Sequence, residues 1–359
     1  MLVSEREHEK HAVGDKAQHG SAVTYRGREI PSDLPKITLT ENQKKVIADK
    51  YIKDAPTPEA WLWNIAENLA LAELLYSRDV SDAELFAGVR HEKREHEGPD
   101  GKKTTLLLFH QQFAHYNDWD ENYKKFIRNL YDVASKNPAA AEKVRKTAMR
   151  FYSLMSRFDF LPNSPTLMNS GRDLQQLSAC YVLPVGDSIE EIYDSVKNMA
   201  MVHKSGGGTG FSFSRLRPRN APVKTTKGVS SGPVTFMGLF DKSTDVVKQG
   251  GTRRGANMGI LHYTHPDLRE FIHCKDGNNA FENFNISVTI DKKFMEAAKN
   301  NEEIDQIDPR SGKAVGRVNA KDLFDEMVES AWKSGDPGII IIDRINETES
   351  NPTPHVGMI

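Results

Sequence analysis

Apolar residues recur at helical spacing through the first part of the chain and then give way to short apolar runs. Trp61, Ile65 and Leu69 fall at i+4 intervals behind Thr57-Pro58, an N-cap followed by a first-turn proline. Tyr123, Phe126, Ile127, Leu130 and Tyr131 form a second stripe. Val144, Ala148, Phe151 and Met155, entered through Asn137-Pro138, form a third. Such stripes read as core, not as a cofactor box, and residues 37–158 are expected to be a helical domain. Between stripes, residues 90–104 (RHEKREHEGPDGKKT) break the pattern with charge, glycine and proline. Residues 1–36 show neither a period of two nor one of 3.6. They are expected to form a mobile arm with solvated histidines, folding starting at Ile37.

From residue 159 to 359 short apolar runs alternate with capped helices, the pattern of a parallel α/β sheet or barrel. Five strands are expected, near Cys180–Val185, Gly210–Phe213, Met258–His262, Asn285–Ile290 and Gly338–Ile342. The helix at 188–202 opens with Ser188 and Glu191 as a capping box and repeats Ile189, Ile192, Val196 and Met199 along one face. Ser231, Thr264 with Pro266, and Asn319 are read as the starts of three more helices. Ile339–Ile342 is apolar on both faces, so a buried central strand is expected there.

At 359 residues, two units in close contact are expected. Hydrophobic residues at 38%, with 25 glycines besides, supply an ordinary core. Lys plus Arg (48) balances Asp plus Glu (50), so no global field draws the protein to nucleic acid or anionic lipid, and phosphate binding must be local. Two cysteines, Cys180 and Cys274, are too few for a secreted disulfide framework. No apolar run is long enough to span a membrane and the first residues are charged, so a cytoplasmic protein is expected.

The chemistry concentrates between Leu161 and Gly259. Cys180 sits in a strand-like run, where a cysteine taken alone is a packed thiol; Cys274, beside Lys275 on the polar side of a helix read as Leu268–Cys274, is taken as structural. KSGGGTGFSFS offers consecutive glycines that would expose backbone N–H groups to a nucleotide, with Lys204 adding charge; the plain alternative is a tight turn. Asp187 and Ser188 open a helix, where a carboxylate suits ribose hydroxyls and the helix end suits phosphate, or where both merely cap. Arg217, Lys224 and Thr225 offer cations and a hydroxyl for phosphate, and 249–255 (QGGTRRG) sets arginines between glycines, otherwise a solvated loop.

Taken in order, SPTLMN, SAC, GDSIEEIYD, KSGGGTGFSFSRLRP, SSGPVTFM and QGGTRRGANMGIL resemble the large catalytic subunit of ribonucleotide reductase, most closely the adenosylcobalamin-dependent class, over roughly residues 37–359. The resemblance implies a helical domain followed by half of a ten-stranded α/β barrel. It further implies reduction of ribonucleotides by thiyl-radical chemistry, with 5′-deoxyadenosylcobalamin generating the radical. Cys180 would be one of two thiols oxidised as the ribose 2′-hydroxyl leaves, a thioredoxin-like donor restoring them. Ser164, Ala179, Gly206 and Gly207 would line the substrate. Asp187, Ser188, Ile189, Lys204, Arg217, Lys224 and Thr225 would hold a dNTP or ATP effector, and the loop Gln249–Asn257, with Gln249, Arg253 and Arg254, would carry its message to the substrate. A dimer is implied.

The family's Asn-x-Cys-x-Glu radical loop is expected to follow a segment like NPTPHVGMI, and neither cysteine here fits it. The second redox cysteine is expected beyond Ile359, and the open half-barrel is expected to be completed by a second polypeptide or by the rest of a longer product. Three rival readings remain at this point: a large subunit served by a separate metal radical subunit, a nucleotide-binding regulator without chemistry, and a nucleic-acid binder using Arg253 and Arg254. Near-neutral charge and the lack of any helix-turn-helix, zinc or RNP motif oppose the last.

Overall fold

The computed structural model describes residues 23–90, 92–97, 103–108, 116–222, 227–247, 255–276, 280–351, 354 and 357. The helical unit opens on a small hairpin, β1 (Thr24–Tyr25) and β2 (Arg28–Glu29), followed by α1 (Glu41–Lys50), α2 (Pro58–Ala70) and α3 (Asp82–Leu85). A second hairpin, β3 (Glu92–Glu97) and β4 (Lys103–Leu108), precedes the long helices α4 (Tyr116–Lys136) and α5 (Pro138–Ser156), and α6 (Ser164–Asn169) closes the unit. Thr57 and Asn137 cap α2 and α5 with their side chains, each followed by a first-turn proline. The expected stripes meet in one core around Trp61, Ile65, Phe126, Leu130, Val144, Ala148 and Tyr152.

Two expectations for this unit fail. Residues 23–36 are no arm: Tyr25, Ile30 and Leu34 are buried in the helical core, and the Tyr25 hydroxyl donates to Asp54 at 2.8 Å. Two-residue strands around Gly27, at φ +75°, are too short to show a period. Residues 1–22 lie outside the described residues. The charged break at 90–104 contains strand β3, paired antiparallel to β4 with Glu92 opposite Leu108, because backbone pairing does not need alternating side chains.

The second unit winds through β5 (Cys180–Val182), α7 (Ile189–Lys204), β6 (Gly208–Ser212), α8 (Pro233–Val246), β7 (Asn257–His262), α9 (Leu268–Ile272), β8 (Phe284–Ile290) and α10 (Lys292–Asn300). After an unanticipated hairpin, β9 (Glu303–Ile307) with β10 (Ala314–Asn319), it ends in α11 (Ala320–Ser334), β11 (Gly338–Ile341) and α12 (Ile342–Glu347). The five expected strands are all present and make one parallel sheet in the order β5-β6-β7-β8-β11. Helices α7 to α11 cover one face, burying Phe211, Phe213, Met237, Phe240, Val288 and Phe294, and α12 borders the other through Ile342 and Ile345. Among the described residues the rest of that other face is open, with Val182 87% exposed, and the unit has the shape of half a barrel.

Local details correct the reading. Ser188 caps α7 by accepting from Glu191 N, but its hydroxyl donates to the Glu191 carboxylate at 2.8 Å, so the reciprocal half of the capping box is missing. Helix α8 starts behind Gly232, at φ +82°, with Pro233 in its first turn, and not at Ser231. Thr264 caps nothing; its hydroxyl meets His262 Nδ1 at 2.8 Å, and α9 begins only at Leu268 behind Asp267. Asn319 caps α11 as expected. Ile339–Ile341 is an edge strand, not a central one, and Ile339 and Ile341 are each 41% exposed, since β8 is its sole strand neighbour among the described residues.

Candidate active site

Cys180 is the first residue of β5 and its thiol is free and exposed. Register partners point the same way, so Cys180, opposite Gly208, and Val182, opposite Gly210, share the bare face with Met258, Asn285 and Ile340. This face lines a cleft of about 850 Å³ that includes Ala179 and Cys180. Gly208 and Gly210 leave the cleft floor without side chains. A Cβ on either would meet only atoms at 3.4 Å or beyond, so the chain's own packing does not require glycine there. Neither was singled out from the sequence; strand register is what reveals them.

The glycines that were singled out behave differently. Gly206 N donates to His203 O at 2.9 Å and Gly207 N to Val202 O at 3.1 Å, so both close the C-terminus of α7. Gly208 N is taken by Ala179 O at 2.7 Å. None of these three N–H groups is left for a phosphate, which corrects the expected nucleotide cradle. Gly206 has φ +87°, and a Cβ on Gly207 would lie 2.7 Å from Val202 and 2.9 Å from Tyr181. Neither lines the cleft; nor does Ser164, the first residue of α6, whose hydroxyl meets Tyr51 Oη at 3.3 Å.

The approach to Cys180 is clamped from the helical unit. Thr166 Oγ1 donates to Leu177 O at 2.8 Å, Asn169 Nδ2 to Gln176 O at 2.8 Å, and Trp61 Nε1 to Leu167 O at 2.9 Å. Asn64 Nδ2 reaches Ser170 O at 2.8 Å, and Asn68 and Gln175 exchange amide hydrogen bonds. These polar groups are buried and paired, so the strand carrying the thiol inherits the rigidity of the helical core. The SPTLMN motif therefore acts through Thr166 and Asn169 as a clamp.

At the opposite, C-terminal end of the strands a second cluster forms. The Asp187 carboxylate accepts from Arg217 N at 2.9 Å and Nε at 2.8 Å and lies 2.8 Å from Nη2 as an ion pair, and its carbonyl accepts from Nη2 at 3.0 Å. The guanidinium pKa rises, chiefly through its hydrogen bonds to Asp187, which outweigh burial. Ser188 and the exposed Ile189 adjoin this pair at the N-terminus of α7. Lys204 stands at the other end of that 16-residue helix, about 24 Å away at 1.5 Å per residue. Within one chain it does not share a nucleotide with Asp187, which corrects its grouping. Lys224, Thr225, Gln249, Arg253 and Arg254 lie outside the described residues.

Cys274 is not on the polar side of a helix: it follows the end of α9 and packs against the sheet core, where burial pushes its thiol up to about 12. Lys275 and Asp336, next to it, form a largely buried pair at 2.6 Å that ties β11 to β8 through Asp336 and Ile286 N.

A helical unit packed on a parallel half-barrel with an exposed thiol on its open face defines an α/β-barrel protein with an all-helical N-terminal domain. Residues 37–175 match the family model described as the ribonucleotide reductase all-alpha domain, and residues 178–359 the model described as its barrel domain. The chain belongs to the ribonucleotide reductase large-subunit family. It is 41% identical, over 90% of its length and 42% of the relative's, to the vitamin B12-dependent ribonucleoside-diphosphate reductase of Thermoplasma acidophilum. It is 42% identical, over 96% of its length and 51% of the relative's, to the protein of that name from Mycobacterium tuberculosis. Against the ribonucleoside-diphosphate reductase subunit alpha of Helicobacter pylori J99 the identity is 28%, over 90% of the chain and 47% of the relative. The chain thus spans about half the length of the curated relatives it matches. Among the described residues no helix is long and apolar enough to cross a membrane.

Proposed function

We propose that this chain supplies the N-terminal half of a ribonucleotide reductase, with Cys180 as a redox thiol. One observation carries the reading: the exposed sulfur sits on the bare face of the sheet beside a strand whose inward positions are Gly208 and Gly210. A sugar can lie against that floor within reach of the thiol. In the reaction the ribose 2′-hydroxyl leaves as water while Cys180 and a second cysteine, from the complementary C-terminal half, give up two electrons and close a disulfide. A thioredoxin-like dithiol then reduces that disulfide by exchange. The substrate is taken as a ribonucleoside diphosphate from the names of the relatives, and the setting as the reducing cytoplasm, suited to two free thiols.

The radical is assigned to 5′-deoxyadenosylcobalamin, because similarity to the B12-dependent relatives exceeds that to the subunit alpha protein. When bound, this group supplies a carbon-centred radical. The open cleft beside Cys180, with a floor at Gly208 and Gly210 free of side chains, fits the approach of an adenosyl group, and this chain's part is to present the thiol and that floor. Asp187, Ser188, Ile189 and Arg217 are assigned to a dNTP or ATP effector. Glu190 and Glu191 crowd the first turn of α7, so Arg217, and not the helix end, is the group for phosphate. Ala179, which lines the cleft, remains assigned to substrate, Lys224 and Thr225 to effector, and Gln249, Arg253 and Arg254 to the connecting loop.

The test is Cys180→Ser in the protein completed by its C-terminal half. Turnover is expected to disappear while nucleotide binding persists. Unchanged turnover overturns the reading and leaves a nucleotide-binding regulator.

A further inference from the structure

Behind the cleft floor, on the helix-covered side of the sheet, four buried polar side chains form a directed hydrogen-bond chain. Thr244 Oγ1 donates to Phe240 O at 2.9 Å, so it accepts from Asn257 Nδ2 at 2.8 Å. Asn257 Oδ1 accepts from Thr209 Oγ1 at 2.7 Å. Thr209 has then spent its only proton, and its oxygen takes the one from His203 Nε2 at 3.0 Å. With the Asn257 amide oriented as it stands, this order places the His203 proton on Nε2. Burial, lowering the imidazole pKa, agrees with a neutral ring. Nδ1 is buried without a hydrogen-bond partner and abuts Gly255, where a Cβ would come within 2.8 Å of it.

The chain crosses four elements: the last turn of α7, the second residue of β6, the first residue of β7, and α8. Thr209 stands between Gly208 and Gly210, the two residues that floor the cleft, and pairs in register with Asn257 on one side and Tyr181 on the other. The rest of that interface is mainly apolar, with Ser195 and the Asn283–Asp241 group as separate polar contacts, and among the described residues only this network joins both helices to the strand behind the floor.

We propose that His203 is a positioning residue for substrate in this site. By donating to Thr209 it fixes the height and twist of the glycine floor, and through Asn257 it registers β7 against β6. This rests on the reading of the cleft beside Cys180 as the reductase site. The floor touches ground state and transition state alike, so its disturbance falls on KM more than on kcat.

The experiment uses the full-length protein or the reassembled halves, with steady-state reduction of a ribonucleoside diphosphate as readout. His203→Phe keeps a ring and removes the donor; a KM raised about tenfold is expected, with kcat within about threefold. His203→Gln places an amide donor where Nε2 stands and is expected to restore KM to within about threefold of the parent. An unchanged KM in His203→Phe, or equal damage in both variants, overturns the proposal. Should His203→Phe fail to fold, Thr209→Val against Thr209→Ser decides: a raised KM restored by serine supports it, and no difference between the two overturns it. Cys180→Ser separates the two levels, because turnover surviving that change refutes the site itself whatever His203 does.

Discussion

Asp187→Asn tests the second cluster most directly. Asparagine keeps one oxygen for Arg217 N–H but sets an amide NH₂ where Oδ2 now accepts from Nε and pairs with Nη2, both at 2.8 Å. One charge-assisted bond and the ion pair beside it are lost, a bond of this kind being worth about 1.5–3 kcal/mol when well shielded. The side chains are 25% and 22% exposed, so solvent screening discounts this to about 1–3 kcal/mol in all. For a unit the size of the barrel half, that lowers the melting temperature by about 2–12 °C. Nucleotide binding should suffer as well, because a carboxylate lone pair for ribose and the orientation of Arg217 go together. The loss of one charged hydrogen bond weakens binding about 10- to 150-fold. Thermal melts and calorimetric titration with deoxynucleoside triphosphates give both numbers. A lowered melting temperature with affinity unchanged would refute the effector assignment and reduce the pair to a strut between β5 and β6.

Three other outcomes follow from the geometry. Gly207→Ala forces a Cβ to within 2.7 Å of Val202 and should cost about 1–3 kcal/mol by chemical denaturation, whereas Gly208→Ala should leave stability within about 0.5 kcal/mol and weaken ribonucleotide binding. Equal stabilities would contradict this division. Burial pushes the Cys274 thiol up to about 12, above the ordinary thiol value of about 8.5. Folding therefore favours its thiol form; the stability this confers is complete below the ordinary value and is lost as pH rises from about 8.5 toward 12. Melting temperature should fall more steeply over that range in the parent than in Cys274→Ala, and iodoacetamide at pH 8 should label Cys180 and spare Cys274. Asp336→Ala strands Lys275 in a largely buried site and orphans Ile286 N–H, with an expected loss of about 3–5 kcal/mol; hydrogen exchange should show β11 loosening first, and protection equal to the parent's would count against the pin.

By itself the sequence determined the elements whose causes are local. Proline behind Thr57 and Asn137, the apolar stripes of α2, α4 and α5, and the five short β runs all act over a turn or two, so they are visible in a linear string. The ordered motifs also determined the family. What escaped it depends on residues far apart. The hairpins at 24–29 and 303–319 exist because their side chains find a core, or their backbones each other, and Ile339–Ile341 is apolar like a central strand yet lies at an edge. The same limit governs the site. KSGGGTG announces glycines, but only the register of β5, β6 and β7 assigns Gly206 and Gly207 to a helix end and Gly208 and Gly210 to the cleft floor. Only the packed sheet brings Asp187 to Arg217 across 30 residues and His203, Thr209, Asn257 and Thr244 into one buried chain. Local chemistry names the parts; the side-to-side alternation of strands and the length of a helix between them decide which parts meet.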